Sequence, residues 1–169
     1  SKPVMEVKGV LFKVFADIDV FDIEVDATDI DHFVATVKAI APTFGGINLE
    51  DIKAPEAFEI ERRLKAELDI PVMHDDQHGT AIISSAALLN ALELAGKKIQ
   101  DVRIVVSGAG AAAMSCLDLY EQLGMSSDQA DVFDSRGHIN SERDGLVESK
   151  QKYAGERKFA DLESAMKGA

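Results

Sequence analysis

The sequence predicts an α/β protein whose strands pair largely in parallel. Short apolar runs alternate with segments of helical period, two of those runs end in paired acids, and a run from Asp101 leads through glycines into an alanine-rich helix. Alternating strand and helix signals favour a parallel sheet covered by helices, with ligands taken at the carboxyl ends of the strands.

Composition narrows the functional classes. The 169 residues are 46% hydrophobic, enough for one domain or two small ones with a sizeable core. A formal charge of −12 argues against unspecific binding to nucleic acid or to anionic membranes. No apolar run approaches the roughly 18 residues of a spanning helix, and the opening SKPVMEVKG lacks the apolar centre of a signal peptide, so a cytoplasmic location is expected. Cys116, the only cysteine, suits a reducing compartment and falls in an apolar helical pattern, as core filling.

Taken in order, VLFKVFADIDVFDIEVD reads as two short strands over about residues 10–15 and 19–25. Ile30, Phe33, Val34, Val37 and Ile40 then mark a helix, with Thr28 or Asp29 as cap and Pro42 just past its end. PTFGGINLED reads as a strand ending at Glu50 and Asp51, and the next helix begins near Pro55 with Ala57, Ile60, Leu64 and Leu68 on one face. DIPVMHDD is a second strand ending in acids. GTAIISSAALLNALELAG, apolar nearly all round, reads as a helix buried between layers and closed by Gly96. VRIVV, the glycine turn with its helix, and ADVF open a βαβ unit. A polar stretch to about residue 157 precedes a closing amphipathic helix in KFADLESAMKGA. The reading divides the chain into residues 1–97 and 98–169, the second an incomplete dinucleotide fold because only two strands are legible after residue 100.

Within VVSGAGAAAMS, Gly108, Gly110 and Ala113 match the G-x-G-x-x-A fingerprint of a Rossmann-type domain. Glycines after a strand let the backbone N–H groups and the helix dipole meet a pyrophosphate. Asp134 closes the next strand, where a carboxylate can accept ribose hydroxyls and repel a 2′-phosphate; Ser135 and Arg136 could bind that phosphate, so NAD and NADP both stay open.

Glu50, Asp51, Asp75 and Asp76 stand at two strand ends, and adjacent carboxylates become favourable beside a divalent cation. Oxygen ligands suit Mg²⁺ or Mn²⁺. The plainer alternative makes Asp51 and Asp76 helix caps. His74 and His78 flank the second pair as supporting or helix-start residues, and His32 and His138 belong to no constellation. By composition alone Lys8 is a solvated lysine.

Three stretches join these pieces. APTFGGINLEDIKAPEAFEIERRL, IPVMHDDQHGTAI and IVVSGAGAAAMSCLDL, in that order, strongly resemble bacterial malic enzymes, and the likeness runs through nearly the whole chain. The resemblance implies a parallel-sheet substrate and metal domain portion followed by the start of a Rossmann-type domain. It implies oxidative decarboxylation of malate to pyruvate and CO₂ with reduction of NAD or NADP, dependent on Mg²⁺ or Mn²⁺. Glu50, Asp51 and Asp76 match the metal ligands of that family and Asp75 a supporting catalytic group. Lys8 in VKGVLF matches its catalytic lysine, with Val7 replacing a glycine, and Ala57 stands where relatives often carry cysteine. Such a lysine takes the C2-hydroxyl proton, a role that calls for a depressed pKa. The family's tyrosine acid has no match here, since neither Tyr120 nor Tyr153 lies in its motif, so the chain reads as a central fragment with negligible turnover by itself. A homo-oligomer is expected, a dimer or higher. Two further readings stand beside this one: a non-catalytic dinucleotide- or metal-binding module for regulation or assembly, and a different α/β dehydrogenase with structural carboxylates.

Overall fold

The amino-terminal apolar stretch is a helix where strands were expected. In the computed structural model, which describes residues 2–27 and 29–169, α1 spans Lys2–Ala16, so the strand expected at 10–15 is overturned. Val4, Val7, Leu11 and Val14 recur at helical spacing, and that period prevails over the β propensity of the individual residues. Asp17, at φ 53°, ends the helix. Residues 17–27 form no regular element, which overturns the strand at 19–25 as well. A strand needs a neighbour for its ladder, and among the described residues none pairs with this segment. The candidate cap Thr28 lies outside the described residues.

Contacts divide the chain into two units, Ser1–Asp75 and Asp76–Ala169, a boundary earlier than the 97/98 division read from sequence. In the first unit α2 (Ile30–Ile40) is capped by Asp29, whose carboxylate accepts the His32 N–H at 2.7 Å. Pro42 follows in a 3₁₀ turn, so the expected strand shrinks to β1 (Ile47–Leu49). Next come α3 (Glu56–Glu67) and β2 (Val72–His74), which runs parallel to β1 with Leu49 opposite His74. Val34 and Val37 from α2, Ile60 and Leu64 from α3, Leu49 and Val72 from the strands form the core of this unit. Both strands therefore end at the same edge, with the acids immediately beyond.

The second unit holds nearly all of α4 (Asp75–Ala95), a helix that contributes Leu92 to the second core and so belongs with it. Its burial departs from expectation. Gln77, Ala81, Ser85 and Leu92 form one buried stripe, while Ile82, Ile83, Leu89 and Leu94 are exposed. A single core covers only one face of a helix, so the remaining apolar faces stay open.

β3 (Ile104–Ser107) pairs in parallel with β4 (Ala130–Asp134) across α5 (Ala111–Gln122). An unforeseen short strand, β5 (Gly137–His138), turns back antiparallel on β4. α6 (Glu148–Gln151) is one turn inside the polar stretch, and the closing helix is only α7 (Leu162–Met166). Asp131, 2% exposed in the middle of β4, pairs with Arg103 at 3.1 Å and Arg157 at 2.8 Å. Arg103 also donates to the carbonyls of Ala165 and Lys167, which fastens the carboxyl-terminal segment to the sheet. His138 does belong to a constellation: it is buried against Phe133 and Phe159 and lies 3.6 Å from Asp131.

Candidate active site

Two strand ends and one helix build the first part of the site. Lys8, from the middle of α1, reaches the β1–β2 edge, where its ammonium lies 3.2 Å from Glu50 Oε2 and donates to Asp75 Oδ2. The Glu50 side chain is only 5% exposed and also accepts from Asn48 Nδ2 at 3.1 Å. Two carboxylates that would otherwise repel thus share one cation.

Burial lowers the pKa of Lys8, but the hydrogen bonds and charges of Asp75 and Glu50 outweigh it, and the net shift is upward. This corrects the depressed value expected of a proton acceptor: with both carboxylates turned on it, Lys8 is held as an ammonium. A cavity of about 640 Å³ opens beside these groups within the first unit. Lys8, Asn48 and Glu50 stand in its wall, and Phe12, Phe33 and Phe44 are among its apolar lining. A largely apolar pocket with a few convergent polar groups is the usual form of a small-molecule site.

Asp51 follows Glu50 at φ 58°, a left-handed conformation uncommon outside glycine. It does not cap α3, whose cap position is Pro55 with no side-chain hydrogen bond. Asp76 is exposed in the first turn of α4, a helix that begins before it, so Asp76 is not a cap of a helix starting at Gly79. Among the described residues no group of three or more His, Cys, Asp or Glu side chains is gathered as a ready metal cage. Glu50 and Asp75, which do converge, already face a cation, and their all-oxygen donor chemistry fits Mg²⁺ or Mn²⁺.

In the second unit the glycine turn lies between β3 and α5. Gly108 has φ +100°, which requires glycine, and its N–H donates to the Phe133 carbonyl at 2.8 Å. Gly110, the cap residue of α5, has φ −84° and ψ 180°, open to any residue, and a Cβ built there meets nothing within 4 Å. Neither backbone nor packing demands a glycine at 110. The first N–H groups of a helix have no intrahelical partners, and α5 starts directly after Gly110, while Ala113 packs on the core.

Asp134 is engaged by groups of its own chain. Arg143 grips both its oxygens, at 2.8 and 3.1 Å, Lys150 lies 3.3 Å away, and the Arg136 N–H donates at 2.9 Å. The Arg143 hydrogen bonds hold the Asp134 carboxyl far below the usual carboxylate range, against the opposing effect of burial. The expected ribose acceptor is therefore already saturated by its own chain. Ser135 and Arg136 stay exposed beside it. Arg143 and Lys150 escaped the sequence reading because nothing in the polar stretch that carries them shows which acid they meet.

Family models match both units: that of the malic enzyme N-terminal domain over residues 1–65 and that of the malic enzyme NAD-binding domain over residues 77–167. The chain belongs to the malic enzyme family. It is 61% identical over 155 residues to a Salmonella typhimurium NADP-dependent malic enzyme, covering 91% of this chain and 20% of that one. It is 56% identical over 170 residues to a Rhizobium meliloti NAD-dependent malic enzyme, covering 100% and 22% respectively. The crystal structure of a Thermotoga maritima NAD-dependent malic enzyme superposes with a TM-score of 0.90 at 44% identity, over 99% of this chain and 46% of that chain. The chain thus spans about a fifth of the length of these curated malic enzymes. No helix among the described residues is long and apolar enough to cross a membrane.

Proposed function

We propose that this chain carries the proton-accepting lysine, the cation-binding carboxylates and the pyrophosphate turn of a malic enzyme that converts malate to pyruvate and CO₂ with reduction of NAD or NADP. The observation that carries the reading is the convergence of Glu50 and Asp75 on Lys8 at the wall of the first unit's cavity. Glu50, Asp51 and Asp76 would hold Mg²⁺ or Mn²⁺. When bound, that cation supplies Lewis-acid polarisation at the malate C2 oxygen, and the nicotinamide is the hydride acceptor.

Lys8 takes the proton of the C2 hydroxyl through Nζ as the alcohol is oxidised. To do so it must first be neutral. Asp75 and Glu50 are the groups that oppose this, so turning Glu50 away from Nζ lowers the lysine's proton affinity. Asp75 keeps the Lys8 side chain oriented and pairs with the ammonium that Lys8 becomes once the proton has moved. The apolar lining about Phe12, Phe33 and Phe44 keeps water from the reacting face. Gly108 and Gly110 let the backbone and the α5 dipole meet the pyrophosphate. With Asp134 saturated, the ribose is left to other groups, and the exposed Ser135 and Arg136 favour tolerance of a 2′-phosphate. Exposed Ile82, Ile83 and Leu89 on α4 support assembly as a homo-oligomer.

The experiment is a nicotinamide absorbance assay with malate and Mn²⁺, run on a protein of the relatives' full length carrying these 169 residues, beside its Lys8→Ala variant. Malate-dependent reduction in the parent and its loss in the variant are expected. Reduction insensitive to a chelator would overturn the cation assignment.

A further inference from the structure

His74 and Glu61 have no place in the chemistry above, yet they are 1% and 7% exposed, the latter an ionisable group that rarely goes so deep without a task. The His74 backbone N–H donates to Glu61 Oε1 at 3.0 Å, and the ring Nε2 lies 3.2 Å from the Ile52 carbonyl. A carbonyl oxygen only accepts, so Nε2 carries the proton. The buried Nδ1 is then the acceptor nitrogen, without a protein partner.

The placement of these bonds is informative. His74 closes β2, and its next residue is Asp75. Ile52 follows Asp51, whose φ of 58° is a left-handed conformation that persists only where its surroundings impose it. One imidazole thus bridges the two chain segments that bear Glu50-Asp51 and Asp75. Glu61 anchors that imidazole from α3 through the backbone and is itself 3.0 Å from Lys65 Nζ. The Glu61–His74 contact joins α3 to the strand end, and the His74–Ile52 contact joins the strand end to the left-handed turn.

We infer that Glu61 and His74 are positioning residues, which set the spacing of the acidic segments around Lys8 and so tune cation affinity. The inference rests on reading those carboxylates as the cation site. It gives a reason for a buried histidine beside an acidic pair that does not require it to be a ligand.

Two measurements on the full chain test it. A long-range ¹H–¹⁵N spectrum of the His74 ring should show the Nε2–H tautomer; a proton on Nδ1 would overturn the inference. Calorimetry with Mn²⁺ as the probe should show His74→Phe, which keeps a ring but loses the donor, binding about 10–100-fold more weakly. His74→Gln, whose side-chain amide can replace the Nε2–H, should stay within a few-fold of the parent. Parental affinity in a folded His74→Phe would overturn the inference. Should that variant not fold, Glu61→Gln, which keeps an acceptor for the His74 N–H, must match the parent while Glu61→Met binds weakly, and equal affinity in both would also overturn it. A parent that binds no Mn²⁺ removes the cation reading alone, and the tautomer then decides for or against the His74 bridge.

Discussion

The two units build their candidate sites by opposite means. In the first, charged side chains make the site: Lys8, Glu50 and Asp75 come from separate segments and meet at a strand edge. In the second, the backbone makes it: one strand, one glycine turn and one helix start, contiguous from Ile104 to Gln122. A side-chain site depends on long-range packing and is tuned by pKa, whereas a backbone site is local and depends on the absence of side chains. The first should respond to charge substitutions and the second to added bulk.

The largest expected effect sharpens the first half of that contrast. Lys8→Ala, placed in a protein of the relatives' full length, should lower turnover by about 10²–10⁴-fold with much less effect on substrate binding. Near-normal kcat would leave Lys8 an ion-pair partner of Glu50 and Asp75 and not the proton acceptor.

The separate cores give the next test. Leu64 and Leu117 are each at most 1% exposed, in different clusters. Each Leu→Ala change should cost about 2–5 kcal/mol by denaturant unfolding. Leu64→Ala should weaken Mn²⁺ stabilisation while sparing nicotinamide binding, and Leu117→Ala should do the reverse. Joint loss in either variant would break the division.

A smaller effect concerns Asp134. Because Arg143 depresses its folded pKa, Asp134 stabilises the protein at pH values above the unfolded carboxylate pKa of about 3.9, and that contribution is lost as pH falls through the lower folded value. Asp134→Asn should therefore be less stable at neutral pH and show a shallower loss of stability below about pH 4. Superimposable acid-unfolding curves for variant and parent would mean that the Arg143 pair does not persist in solution.

Legibility in the sequence follows the same contrast. The β3 turn and α5 could be read because glycine position, strand ending and helix start lie within a few residues of one another. The acidic pairs were visible, but the meeting of Asp75 with Lys8 spans 67 positions and only the family resemblance drew both into one site. α1 misled because Val, Leu and Phe suit a strand as well as a helix, and period alone separates the two. Asp134 shows another limit: its place at a strand end was legible, but its bidentate partner Arg143, nine positions on, was not. The Glu61–His74 contact, thirteen positions apart across α3 and β2, leaves no local pattern at all.

The most direct test of the account crosses the two kinds of site. Thermal shifts with Mn²⁺ and with NAD(P) can be measured for the parent, Asp76→Asn and Gly110→Val. A ligand that binds only the native state at about 100 times its Kd adds about 2.7 kcal/mol, a shift easily resolved. Gly110→Val should fold normally, since a Cβ at that position meets nothing within 4 Å, and should lose the nicotinamide shift while keeping the Mn²⁺ shift. Asp76→Asn should lose the Mn²⁺ shift and keep the nicotinamide shift. Retention of both shifts by both variants would contradict the account.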